Sequence, residues 1–199
     1  MLLSLSHKFL FVANVKTAST SIESTLGGLA EIRIKKTEFG KHNPLTQISR
    51  KFEWVKRYVP YEDFFVFGVI RDPVDHLLSL YNAHSREVLR GSAVPTRGKD
   101  FDWFLDVWCK DNWQAELQSP RFIDRNGRFQ MSHLIDYDRL RDEFAQICAR
   151  LELGDKVLKH LNVSPENLTR ENLTPAQIAR VEHQYAQDYD LLRNRMRAF

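Results

Sequence analysis

Two runs constrain this chain more than any other feature. KFLFVANV (residues 8–15) and FFVFGVI (64–70) are β-branched and aromatic with almost no polar interruption. A strand buried on both faces carries that pattern, because neither face needs polar side chains for water. Each run leads straight into a helix start. TASTSIESTL follows the first with several hydroxyl side chains able to cap a helix and an Ile22, Leu26 pair at i, i+4. RDPV follows the second, and Pro73 suits the first helical position, where its missing N–H costs nothing. Strands alternating with helices predict an α/β fold with a central parallel sheet flanked by helices.

The rest of the chain extends this pattern. AEIRI (30–34) alternates like a further strand, and a short helix is expected over 44–52. The helix after Pro73 should run to about Leu89, followed by a flexible loop over 91–100. Phe101 to Lys110 reads as an amphipathic helix, and its Trp103, Phe104, Val107 and Trp108 as core rather than substrate platform. Asn126-Gly127 marks a turn before a strand near 132–137, and a helix is expected over 139–151. Thr174, Pro175 and Gln177 predict a capping box opening a last helix. With 199 residues and no linker-like stretch, the whole of 1–199 is expected to form a single domain.

Composition excludes several classes. Hydrophobic residues at 43% argue against a disordered chain, and no apolar run approaches the roughly 20 residues of a membrane span. The opening MLLSLSHKF lacks the basic and apolar regions of a signal peptide. Two cysteines, 109 and 148, form no pair motif, which suits a reducing, cytoplasmic setting. A net charge of +3 is too small to point to nucleic acid, yet it accommodates an anionic small molecule in a local basic site.

Two segments have the chemistry to hold phosphate. In the first, strand-VKTASTS-helix, a helix N-terminus offers unpaired N–H groups and a positive dipole end. Lys16 adds a charge, and Thr17, Ser19, Thr20 and Ser21 add hydroxyl donors around Ala18. The glycines of a Walker A loop are absent, since Val15 and Leu10 occupy their positions. The segment reads equally as an ordinary Ser/Thr-capped helix with a solvated lysine. In the second, strand-RDPVDHLLSLY-helix, Arg71 sits at a strand carboxyl end, where open α/β sheets bind ligands, and Ser79 lies about two helical turns on. A guanidinium fork and a hydroxyl suit a phosphate. The competing reading pairs Arg71 with Asp72. Together the two segments suggest a ligand carrying phosphates at two separated points.

In this combination the sequence resembles the sulfotransferases that use 3′-phosphoadenosine 5′-phosphosulfate (PAPS). VKTASTS is similar to their 5′-phosphosulfate loop, and RDPVDHLLSLY to their 3′-phosphate motif, commonly R-D-P-x-x-R-x-x-S-x-Y. GKHNPLTQI, LQSPRFIDRNG, HLIDYDRLRDEFAQICARLEL, HLNVS and LTPAQIARVEHQYAQDYDLL resemble further segments of a bacterial, carbohydrate-sulfotransferase-like branch, in order, over about residues 8–192. His76 replaces a common arginine and Asp138 a common glutamate.

The resemblance implies a P-loop-like sulfotransferase fold and transfer of a sulfuryl group from PAPS to a hydroxyl acceptor, a saccharide or glycan, leaving 3′,5′-adenosine bisphosphate. It implies donor contacts from Lys16, Thr17, Ala18, Ser19, Thr20, Ser21, Arg71 and Ser79. Lys16 is placed to steady the leaving phosphate oxygen. His42, in the GKH segment, is expected to be the general base, with an ordinary pKa near about 6.5 suited to neutral pH. His84 is the alternative base, and Glu62 and Asp63 are lesser ones. Lysine and backbone N–H groups supply the positive charge, so no metal is expected. Trp54 and Tyr58 beside Lys51, Lys56 and Arg57 suggest either an acidic-sugar groove or a solvated basic helix. The competing functions are a kinase-like phosphotransferase, which needs Walker glycines and Mg²⁺, and a non-catalytic nucleotide or anion-binding module, which needs a broader basic surface.

Overall fold

In the computed structural model the described residues are 1–35, 37, 40–54, 60, 63–85, 95–159 and 167–194. The chain forms two compact units. One comprises Met1–Arg71, Gln118–Leu161 and Leu191–Phe199, the other Asp72–Leu117 and Asn162–Asp190.

The first unit is built on a five-stranded sheet of order β3-β1-β2-β4-β5. The strands are β1 (Leu2–Ser4), β2 (Phe9–Val12), β3 (Ile32–Arg33), β4 (Phe65–Ile70) and β5 (His133–Asp136). β2, β4 and β5 run parallel, with Phe11 opposite Phe67 and Phe67 opposite His133. β1 pairs antiparallel with both β2 and β3, so the sheet is mixed rather than wholly parallel. The reason is local: four residues separate β1 from β2, which permits a hairpin but not a crossover.

Side chains alternate across the sheet and bury on both faces. Phe9 and Phe11 pack with Phe67, Val69 and Ile135 against Ile22 and Leu26 of α1 (Ser19–Leu26) and Phe144 and Ile147 of α5 (Leu140–Arg150). Leu10 and Val12 pack with Val66, Ile70 and Leu134 against Leu45 and Ile48 of α2 (Leu45–Lys51), with Phe122 and Met131. Helices on both faces explain the uninterrupted apolar runs. Each fully buried Phe or Leu contributes about 1.5–3 kcal/mol.

Gly68, in the middle of β4, answers to that packing. A Cβ there would stand 2.9 Å from the Phe122 ring, 3.1 Å from Met131 Cε and 3.2 Å from the Val12 carbonyl. Gly68→Ala is expected to destabilise the protein by about 1–3 kcal/mol through overpacking. Denaturant unfolding will show it as a lower midpoint at unchanged slope.

In the second unit, α3 spans Pro73–His84, with Pro73 at its start as expected. Asp72 caps it, its carboxylate accepting from the Val74 N–H at 2.9 Å and the Asp75 N–H at 3.2 Å. Residues 86–94, where the sequence continued this helix and placed a loop, lie outside the described residues. The expected helix over 101–110 is instead a single α-turn, α4 (Phe101–Trp103), followed by a π-turn over Phe104–Trp108 that Cys109 closes by donating to the Phe104 carbonyl. Phe104 and Trp108 are buried, stacked at 5.0 Å, whereas Val107 is exposed. Thr174 and Gln177 form the expected capping box at the head of α6 (Pro175–Gln184). A break at Tyr185 then separates α6 from α7 (Ala186–Arg193). The Tyr185 hydroxyl donates to the Ala115 carbonyl at 2.6 Å, which anchors the break.

Candidate functional site

The candidate site lies in the first unit, past the carboxyl end of β2. Residues 13–18 turn from that strand into α1. Lys16 and Ala18 both adopt left-handed backbone, with φ of 54° and 55°. A non-glycine residue held there costs about 1–3 kcal/mol and persists only where its surroundings enforce it. Thr17 between them is buried, its hydroxyl donating to the Asn14 carbonyl at 3.2 Å. α1 is not capped as the hydroxyl-rich sequence suggested. Its N-cap is Ala18, which has no side-chain acceptor, so no side chain satisfies the first-turn N–H groups from the cap position. Ser19, Thr20 and Ser21 instead occupy the first turn itself. An uncapped helix start beneath a strained lysine-bearing turn attracts an anion by N–H donation, dipole and charge together.

Arg71 closes one side of this turn. Its Nη1 donates to the Lys16 carbonyl at 3.4 Å, and its guanidinium stacks over the Tyr137 ring at 4.2 Å. Its Nε is buried without a hydrogen-bond partner, and no carboxylate pairs with it among the described residues. Asp72, the partner that the competing reading gave it, caps α3 and takes an ion pair from Arg170. Arg71 is therefore a cation held in place by an aromatic face rather than by an acid.

Two buried amides support this corner. Asn14 Nδ2 donates to Gln118 Oε1 at 2.9 Å and to the Val69 carbonyl at 3.3 Å. Its Oδ1 accepts from the Val15 N–H at 2.7 Å. The Gln118 amide in turn bonds both backbone groups of Arg71. Sequence reasoning gave neither residue a role, although Gln118 lies in the family-like LQSPRFIDRNG segment. Asn14 was the one polar interruption in its apolar run, a signal available in retrospect.

His42 sits on the Ala13 side of the same corner. A hydrogen bond to the Ala13 backbone occupies one ring nitrogen, and Nδ1 is buried with no hydrogen-bond partner. Burial, then the adjacent Lys41 ammonium, lower the imidazole to about 4, with Arg121 adding to the effect and the Ala13 bond and Glu23 opposing it. This corrects the expectation of an ordinary value. The neutral ring holds its lone pair on Nδ1. Lys41 fixes the segment to α1, its Nζ reaching Thr20 Oγ1 at 2.7 Å and Glu23 at 2.9 Å. Arg121 is buried in the 3₁₀ turn Ser119–Phe122 and donates to the His42 carbonyl at 3.2 Å. Arg121 lies in the family-like LQSPRFIDRNG segment, but no local pattern shows that it meets a partner 79 positions away.

The structure thus brings Lys16, Thr17, Ala18, Ser19, Thr20, Ser21, Arg71 and His42 into one unit. Ser79 belongs to the other unit, on α3, partly buried. His76, the departure from the 3′-phosphate motif, is buried on the same helix. His84 is buried there too, against Trp108 at 4.7 Å, with its Nε2 3.4 Å from Gln114. Asp63 is exposed and pairs with Lys8, and Glu62 lies outside the described residues. Trp54 is exposed, while Lys56, Arg57 and Tyr58 lie outside the described residues.

Among the described residues no group of three or more His, Cys, Asp or Glu side chains is arranged to hold a metal ion. No helix among them is long and apolar enough to cross a membrane. No curated protein and no solved structure matches the chain. The family model described as "Sulfotransferase family" matches residues 1–193. A strained lysine loop, an arginine at the next strand end and a match over nearly the whole chain lead to one assignment: this protein belongs to the sulfotransferase family.

Proposed function

We propose that the protein transfers a sulfuryl group from PAPS to a hydroxyl of a saccharide or glycan, with His42 as general base. The observation that carries this reading is the start of α1, uncapped by any side chain, beside two cations, Lys16 and Arg71, the second without an acid partner among the described residues. The Ser19 and Thr20 N–H groups and the hydroxyls of Thr20 and Ser21 bind the 5′-phosphate. Arg71 reads the 3′-phosphate. Metal-free charge neutralisation suits this set of donors.

PAPS supplies a sulfur bonded to a good leaving group, the bridging phosphate oxygen. His42 Nδ1 takes the acceptor hydroxyl proton as the new oxygen–sulfur bond forms. Lys16 meets the negative charge that appears on the bridging oxygen as its bond to sulfur breaks. The products are a sulfate ester and 3′,5′-adenosine bisphosphate, and the base then returns its proton to water. Burial, with the Lys41 and Arg121 charges adding to it, keeps His42 neutral before the donor arrives. Anionic phosphates bound at the loop offset those charges and raise the ring's affinity for the proton it must accept. The acceptor class follows the family branch that the GKH and LQSPRFIDRNG segments resemble. The two cysteines are free thiols, which supports a reducing, cytoplasmic setting.

Calorimetry provides the test. Without metal, 3′,5′-adenosine bisphosphate should bind more tightly than AMP, and more tightly than ATP with Mg²⁺. Arg71→Ala should lose the preference over AMP, a change of about 10- to 100-fold for one charge-assisted contact. Equal affinity of the wild type for bisphosphate and AMP would refute the 3′-phosphate reading. Preference for ATP with Mg²⁺ would favour a phosphotransferase.

A further inference from the structure

We infer that Gln118 is a positioning residue that braces Arg71 against the phosphate loop, so that the two anion-binding elements keep the spacing of a doubly phosphorylated nucleotide; this rests on the donor reading above. The Gln118 side chain is almost wholly buried, at 1% exposure. Its Oε1 accepts from the Arg71 N–H at 3.2 Å, and its Nε2 donates to the Arg71 carbonyl at 2.8 Å. Both backbone groups of Arg71 thus end on one side chain. They need it because the sheet stops short of them: β2–β4 pairing ends at Val12 opposite Gly68, and β4–β5 pairing at Ile70 opposite Asp136. A buried backbone group left unpaired is costly, so the amide both satisfies the strand end and fixes its direction.

The same Oε1 accepts from Asn14 Nδ2 at 2.9 Å. Asn14 binds the Val15 N–H through its side chain and the Thr17 hydroxyl through its carbonyl. The brace therefore runs from the Arg71 backbone through Gln118 and Asn14 into the turn that carries Lys16. A neutral amide in this place adds no charge to the ligand. Its effect is preorganisation: it shortens the range of separations that Arg71 and the loop explore before the nucleotide binds.

Such a role separates two measurements that a merely structural residue moves together. Gln118→Met keeps the volume and removes the brace. Bisphosphate affinity should fall about tenfold or more, while AMP affinity, which needs only the loop, changes less than about threefold. In the Gln118→Met background, Arg71→Ala should cost much less than in the wild type, because the two changes remove one coupled feature. Equal loss for both nucleotides, or full additivity with Arg71→Ala, would overturn the inference. If thermal unfolding shows that Gln118→Met does not fold, Asn14→Ser cuts the brace from the loop side, and retention of the bisphosphate preference in that variant would overturn it equally. A wild type with no preference at all is a different result, since it removes the donor reading itself and the brace's purpose with it.

Discussion

Alanine at position 42 is expected to cut sulfuryl transfer by about 10²–10⁴-fold while leaving bisphosphate affinity close to that of the wild type. The imidazole Nδ1 is buried without a hydrogen-bond partner and carries the lone pair that can take the proton. The pH dependence sharpens the test. The ring of the free protein titrates at about 4, and only its neutral form accepts a proton. kcat/KM, which reports the free enzyme, should therefore rise through an ionisation near that value and be flat before neutrality. An ordinary histidine would still be rising near pH 6.5. kcat, which reports the loaded enzyme, should show a higher apparent pKa, because bound phosphates offset Lys41 and Arg121. Stability follows the same linkage. The unfolded ring binds its proton near pH 6.5 and the folded ring only near 4, so the unfolded state holds more protons between those values. The His42 contribution then makes the wild type lose stability as pH falls through that window, and His42→Ala should lose less. His84→Ala is the matched control. His84 packs on Trp108 in the other unit, so its loss should weaken folding rather than the chemical step. Abolished transfer in His84→Ala with activity kept in His42→Ala would reverse the assignment.

Lys16→Ala should lower turnover by about 10²–10³-fold, the usual effect of removing one donor aimed at developing negative charge, with a much smaller change in donor affinity. Charge on the bridging oxygen is greatest as its bond to sulfur breaks, so the lysine acts mainly on the transition state. Lys16 also holds a left-handed backbone at φ 54°, which gives a second variant a distinct signature. Lys16→Gly removes the same ammonium but relieves the backbone, so it should match Lys16→Ala in lost turnover while unfolding at a higher temperature. Transfer that survives both substitutions in a folded protein would disprove the leaving-group role.

The two apolar runs, each strand-sized and leading straight into a helix start, were enough to read α/β, because a strand covered on both faces needs no polar side chain on either. Pro73, the Asn126-Gly127 turn and the Thr174 capping box were equally legible, since each acts through its immediate neighbours. So were the lysine loop and Arg71, as strand-end cations ahead of helix starts, and their combination carried the family resemblance that the match over residues 1–193 shows. The antiparallel strand β1 was not legible: three residues are too few to display a period. Nor was the cap of α1, where several hydroxyl residues competed and the chain placed Ala18 at the cap in left-handed backbone. Tertiary structure alone decided the support of the site. Asn14 and Gln118 stand 104 residues apart, and Arg121 stands 79 from His42. No local pattern records such pairs, because each residue obeys its own segment until the sheet brings the strand ends together. The lowered basicity of His42 has the same origin. Its largest cause, burial, and the contribution of Arg121 from a distant turn exist only in the folded chain, whereas the Lys41 charge, second to burial, comes from its sequence neighbour.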